Sequence, residues 1–384
     1  MRFDMFHVLS NRGNARPWQE LLDETRVRAE LADQLGFNGI WLGEHHFDGE
    51  GNDQMPNPIL MLSDLAARTR QLRLGIAAIG MPLWHPIRLA EDLAMLDHFS
   101  KGRVDVAFSR GILAGEIMNI NPEADRRNEE TSREIFQENL DMVKLAWTDS
   151  HFRWQGKRYT VPWPDTAWGG KAMKEWEDEK GDLYSVPIIP QPFQTSVPIY
   201  AVSQQEPGWR HAAANGMGVI SSHPSGKKLQ KLNAAYDDEA AKHGGRPAHF
   251  AKVAPAVREF AVAETEEEAK ADIYDFVVSR FDVIRRVRGL QAWLDIDEDP
   301  NDPKLQAADG YDIMMDRDYL FVGTPDSVAE RMIRLNKEKG WEHFILAVGH
   351  ASPQAIERSM RLMSEEVIPR VKAACGDVSV EAGA

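Results

Sequence analysis

Glu44, His45 and His46 stand side by side, directly after the apolar stretch that runs from Phe37 through Ile40 to Leu42. A carboxylate and two imidazoles at the end of a short buried strand sit where parallel α/β proteins hold their ligands. Histidine is the side chain most easily poised as a base near neutral pH. Adjacent strand residues point to opposite faces, so one of the two imidazoles is expected to face the ligand and the other to be structural. A second group is cationic. Arg110 follows Val104-Asp-Val-Ala-Phe108-Ser109 and precedes Gly111. A guanidinium fork at a strand end suits an anion, and the glycine lets backbone approach closely. Arg133 opens the helical run Arg133-Glu-Ile-Phe-Gln-Glu-Asn-Leu140, and an arginine near a helix start suits a phosphate. Ala77 and Ala78 lie in Ile76-Ala-Ala-Ile79, where small side chains let a flat ring reach the backbone.

Other chemistries are disfavoured. Gly75, Gly111 and Gly115 form neither a GxGxxG nor a Walker pattern, which argues against a Rossmann dinucleotide enzyme and a nucleotide triphosphatase. HExxH spacing is missing and Cys375 is the single cysteine, so no metal site is expected and no intrachain disulfide can form. The net charge of −15 disfavours nonspecific nucleic-acid binding and anionic membrane surfaces. No apolar run approaches the roughly 18 residues that span a bilayer. Met1-Arg-Phe-Asp-Met-Phe-His7 has no apolar leader region, so a cytoplasmic location is expected.

The elements that must position these groups alternate regularly. Strands are expected at 3–9, 39–42, 72–79, 104–108, 199–202, 218–221, 253–262 and 344–348, with helical patterns between them. Pro86 sits at the first turn of one helix, and Thr324-Pro-Asp caps another. Eight strands in one series predict a single (β/α)8 TIM barrel over 1–384; a doubly wound open sheet would give the same alternation. Two stretches exceed ordinary connections. Residues 149–196, after strand four, are rich in Trp, Pro and Gly, including Trp168-Gly-Gly170; residues 287–318, after strand seven, are polar and acidic. Long barrel loops cover active sites or mediate assembly, which makes 287–318 a lid candidate. A dimer is expected through helices 58–70 and 86–99, which carry Leu60, Met61, Leu65, Leu93 and Met95 on more than one face.

Four blocks together resemble the bacterial luciferase-like flavin monooxygenases, the luciferase α subunit in particular. They are Trp41-Leu-Gly-Glu-His-His-Phe47; Leu74-Gly-Ile-Ala-Ala-Ile-Gly-Met-Pro82, continuing through His85-Pro86, Glu91-Asp92, Leu96-Asp97, Ser100-Lys-Gly-Arg103 and Arg110-Gly111; Pro190-Gln-Pro-Phe-Gln194 running into Pro198-Ile-Tyr200; and Val322-Gly-Thr-Pro325. The resemblance implies a TIM barrel and reduced FMN delivered by a separate flavin reductase. It also implies O2 adding to the ring as a flavin 4a-peroxide that oxidises a small organic substrate. By position it implies His45 as the catalytic histidine, with Glu44 beside it in the cofactor site, orienting the imidazole or its neighbours, and a non-prolyl cis peptide at Ala77-Ala78 supporting the ring. It places Ser109 near the reactive edge, Arg110 and Arg133 on the phosphate, and Val202, Ser203 and Gln204 beside ring and phosphate. Where the luciferase phosphate loop carries hydroxyls, this chain has Gln205-Glu-Pro-Gly208; Gln205 can still donate an N–H and the backbone can still serve. Two rivals are a deazaflavin-dependent hydride-transfer enzyme and a non-catalytic partner subunit. The Glu44-His45-His46 block and Ala77-Ala78 speak against the first, and the presence of His45 and Arg110-Gly111 against the second.

Overall fold

Near-continuous apolar strands set the architecture, because parallel strands buried on both faces need no alternation. A computed structural model describes residues 1–111, 113–168, 171–222, 226–348 and 352–376; Gly169 and Gly170 of the Trp168 motif lie outside them. The strands are β1 (Arg2–His7), β2 (Gly39–Leu42), β3 (Arg73–Gly80), β4 (Val104–Ser109), β5 (Ile199–Val202), β6 (Gly218–Ile220), β7 (Ala256–Val262) and β8 (His343–Val348). All neighbours are parallel, in the order β7-β8-β1-β2-β3-β4-β5-β6. Ser221, directly after β6, bridges Ala256 at the start of β7. Its N–H reaches Pro255 O and its carbonyl accepts from Val257 N, both at 2.9 Å. That bridge returns the series to itself as a barrel. A further short strand, Leu320–Gly323, adds alongside the far end of β7, which the sequence reading did not foresee.

The helices relevant to the site are α1 (Trp18–Gln34), α2 (Pro58–Arg68), α3 (Pro86–Ser100), α4 (Ala114–Ile120), α5 (Glu129–Ala146), α6 (Glu206–Ala214), α7 (Lys227–Ala240) and α8 (Glu266–Arg288). Among the described residues no helix is long and apolar enough to cross a membrane. The barrel interior has two layers. At the strand starts Asp4 accepts from Trp41 Nε1 at 2.7 Å, lies 2.8 Å from His343 Nε2 and pairs with Arg2, which also reaches Asp105. Each buried charge there has partners, the condition for tolerating it. Above it lies an apolar layer of Trp41, Ala107, Tyr200, Ile220, Phe250 and Ile345, edged by half-buried Phe6, Ala77, Ala78 and Val202.

Both long insertions are built structures. Within 149–196 a small antiparallel ribbon pairs Trp154–Gln155 with Thr160–Val161. Gln194 then docks on α3, its N–H and side-chain amide donating to Asp97 at 2.7 and 2.8 Å. Residues 287–318 bury Leu290, Trp293, Leu294, Tyr311, Ile313 and Met314 against Phe281 of α8. Asp295 accepts from the first N–H groups of α7, at 2.6 and 2.7 Å. Spaced apolar anchors dock this acidic segment on its neighbours.

Candidate active site

The barrel mouth gathers the expected groups from four strand ends. His45 follows β2 by three residues, and its Nδ1 lies 3.1 Å from Glu116 Oε1 on α4. A carboxylate can only accept, so Nδ1 carries the proton and a neutral ring leaves Nε2 as the acceptor. The same Glu116 oxygen accepts from His46 N at 2.7 Å. Burial draws the His45 pKa down, but the hydrogen bond to Glu116 and the charge of Asp53 outweigh it and raise the ring above its ordinary value. Asp53 is itself buried, and burial pushes its carboxyl up to about 6. A methyl on Gly43 would meet Asp53 Oδ2 at 3.1 Å and His45 Nε2 at 3.8 Å, so Asp53 stands by the ring edge away from Glu116.

Glu44 sits on the neighbouring imidazole. It accepts from Gly80 N at 2.6 Å and Trp84 Nε1 at 2.7 Å, and lies 3.1 Å from His46 Nε2. Buried with both oxygens engaged, it joins β2 to the end of β3 and holds His46. The orienting role falls to Glu116, which the sequence reading missed. Its one local signal is a carboxylate within the largely apolar run Leu113-Ala-Gly-Glu-Ile-Met118.

The Ala77–Ala78 peptide is cis, as the resemblance implies, and both side chains edge the apolar layer of the mouth. Ser109 Oγ accepts from Gly111 N at 3.1 Å and reaches Ile79 O at 3.5 Å, tying the ends of β3 and β4. Arg110 Nη1 and Arg133 Nε meet on one oxygen of Glu129, at 2.8 and 3.3 Å. Arg126 joins them, with Nη1 on Gly111 O at 3.1 Å. Burial and the nearby Arg110 charge lower its pKa, the signature of crowded cations. Arg133 does not begin its helix: α5 starts at Glu129, and Asn128 caps it by accepting from Thr131 N. The arginine therefore contributes its side chain, not a free helix end.

Opposite them, Ser203, Gln204, Gln205 and Gly208 form the turn from β5 into α6. Ser203 Oγ lies 3.4 Å from Gln205 N, and Gln204 Nε2 donates to Ser222 Oγ at 2.7 Å. A Cβ on Gly208 would lie 2.0 Å from Ser203 Oγ, so glycine is required where the helix start crosses the strand end. Glu206 turns away to Arg210, whose Nε donates to it at 3.0 Å. The residues thus form a half-exposed apolar wall, a cationic group with one displaceable carboxylate, and an oriented imidazole.

The luciferase-like monooxygenase family profile matches residues 1–343. The chain belongs to the luciferase-like monooxygenase family. It is 28% identical over 278 residues to the oxygenase component of the flavin-dependent trigonelline monooxygenase of Acinetobacter baylyi, covering 70% of this chain and 67% of that one. Its fold matches the oxygenating constituent of 3,6-diketocamphane monooxygenase from Pseudomonas putida, solved with FMN, at TM-score 0.78 and 21% identity over 97% and 99% of the chains. It also matches an F420-dependent secondary alcohol dehydrogenase at TM-score 0.67 and 16% identity over 96% and 98%. At such identities the two structures speak for the barrel alone.

Proposed function

We propose that this chain is the oxygenase of a two-component system, taking reduced FMN from a separate flavin reductase and oxidising a small organic substrate with O2. The observation that carries this reading is the meeting of Arg110 and Arg133 on Glu129, with Arg126 alongside on Gly111 O, beside the wall of Ala77, Ala78 and Val202. A phosphate needs donors and positive charge, and a flat ring needs small apolar walls; the residues present fit both. Reduced flavin, when bound, supplies the two electrons with which O2 gives one oxygen atom to the substrate and the other to water. The chain does the rest. Arg110 and Arg133 would exchange Glu129 for the phosphate, Gly208 and Ser203 would let backbone approach it, and His45 Nε2 would take a proton while Glu116 holds the proton on Nδ1. A cytoplasmic homodimer completes the reading.

Two variants test it. Arg110→Ala removes a charge-assisted contact of about 1.5–3 kcal/mol, so FMN should bind tenfold or more weakly while riboflavin is little changed. Equal weakening of both would remove the phosphate assignment. His45→Ala should bind FMN normally but lose about 10²–10⁴-fold in oxygenation, releasing peroxide instead. Wild-type product formation by that variant would end the catalytic assignment. Titrating the purified chain with reduced FMN and with F420 separates the flavin reading from the deazaflavin one, and binding of either by the chain alone excludes a purely structural subunit.

A further inference from the structure

Beside His45 the surface sinks into a cavity of about 320 Å3 lined by Trp18, His45, Phe47, Asp48, Gln54 and Pro56. Its polar side chains other than His45 are committed to the loop itself. Asp48 accepts from the N–H groups of Glu50 and Gly51 at 3.1 Å each, and from Asn52 and Asp53 at 2.6 and 2.8 Å. Gln54 Nε2 donates to Asp48 O at 3.1 Å, and its carbonyl accepts from Asn11 Nδ2 at 3.3 Å. Gly51 seals the loop to its neighbour, since a Cβ there would lie 1.9 Å from Asn11 O. The cavity is therefore preformed, and what it turns to a ligand is two rings and the His45 imidazole.

Phe47 is the odd member. Its φ is +58° and the residue is 70% exposed. A bulky residue in the left-handed region is strained and persists where the surroundings impose it, commonly at ligand sites. Burial of its own ring does not offset that strain here. Trp18 across the cavity is also exposed. Charge adds a third constraint. Asp48, Asp53 and Glu116 all act on His45. The cations of the preceding loop are engaged elsewhere, Arg12 over the Phe276 ring at 5.6 Å and Arg16 on Glu24 at 2.7 Å.

We propose that this cavity seats the organic substrate between Trp18 and Phe47 and selects a planar aromatic compound, a cationic ring before a neutral one and an anionic ring last. This rests on the oxygenase reading and names its substrate class. Aromatic faces attract cations, and three carboxylates make the local field repel an anion. The volume, near the low end for small-molecule sites, suits one or two fused rings.

Calorimetry on the full chain with N-methylquinolinium, 2-methylnaphthalene, 2-naphthoate and 1-hexanol tests the selection. N-methylquinolinium should bind about tenfold more tightly than 2-naphthoate, with 2-methylnaphthalene between them and 1-hexanol weakest. Trp18→Ala and Phe47→Ala should each weaken the two favoured ring probes about fivefold and leave FMN affinity unchanged. Both side chains are exposed, so the variants open no core cavity. Naphthoate binding as tightly as the cation, or ring affinities unmoved in both variants, overturns the proposal. FMN titration of the same samples keeps the two readings apart. Failure of the wild type to bind FMN sinks the oxygenase reading, whereas normal FMN binding without ring preference sinks only the subsite.

Discussion

His45 can serve as a base only while Glu116 keeps the proton on the far ring nitrogen. Glu116→Gln tests this with little change of shape, because the amide oxygen can still accept from His45 Nδ1 and His46 N. The negative charge that raises the imidazole is lost, so its pKa should fall. A base works deprotonated, so the acidic limb of the rate profile should move to lower pH. FMN affinity should not change. A limb that stays in place would mean that Glu116 does not set the state of His45. The sequence made His45 legible because it ends a strand in an α/β series. Glu116 was not legible, since it arrives from a separate helix 71 residues later and pairing across the mouth leaves no local pattern. Glu44, read from adjacency as orienting the imidazole or its neighbours, holds His46 and ties it to Trp84 and Gly80.

The loop from β2 to α2 carries the cost of shaping the mouth, and Asp53 concentrates it. The carboxyl is buried and lifted to about 6, with Oδ1 accepting from Leu9 N at 3.1 Å. A folded pKa above the unfolded one gives stability that is full below the ordinary aspartate value and lost as pH rises through about 6. Asp53→Asn keeps the acceptor for Leu9 and removes the charge. It should gain roughly 1–3 kcal/mol over the wild type at pH 8 and nothing at pH 4, seen as a thermal midpoint raised only at the higher pH. No gain at pH 8 would show that the carboxylate is solvated after all. Elements also explain why some specific-looking blocks are silent in the chemistry. Arg103 donates to Leu72 O, Ala66 O and Thr69 O, closing the end of α2, and Asp97 exists to seat Gln194. The strand series was readable from apolar runs. The docking of 287–318 was not, because Leu290, Trp293 and Tyr311 are scattered among charges and gain meaning only against α8.

Across the whole molecule the apolar surface is not evenly spread. Of the five side chains expected to form a dimer face, Met61, Leu65 and Leu93 fill the molecule's own outer layer, while Leu60 and Met95 point outward. Sequence periodicity marks both kinds as apolar; only the placement of the helix against the barrel tells its inner stripe from its outer one. Val27 on α1 and Phe99 on α3 are exposed as well, and Phe193 extends the patch by packing edge-on against His98 at 5.7 Å. Arg26 joins α1 to α2 through Asp64, and α2 packs on α3, so the three helices are neighbours. Contiguous apolar faces of this kind on soluble chains mark association sites. A stable dimer needs about 1,200 Å2 or more of total buried surface, which three helix faces can supply. Sedimentation at micromolar concentration should therefore give a homodimer. Leu60→Glu with Phe99→Glu should shift it to monomer, because paired like charges would be buried without partners, and FMN affinity should be unchanged since every residue of the proposed seat comes from one chain. A wild-type monomer, or a dimer indifferent to both substitutions, would move the association surface away from α1–α3.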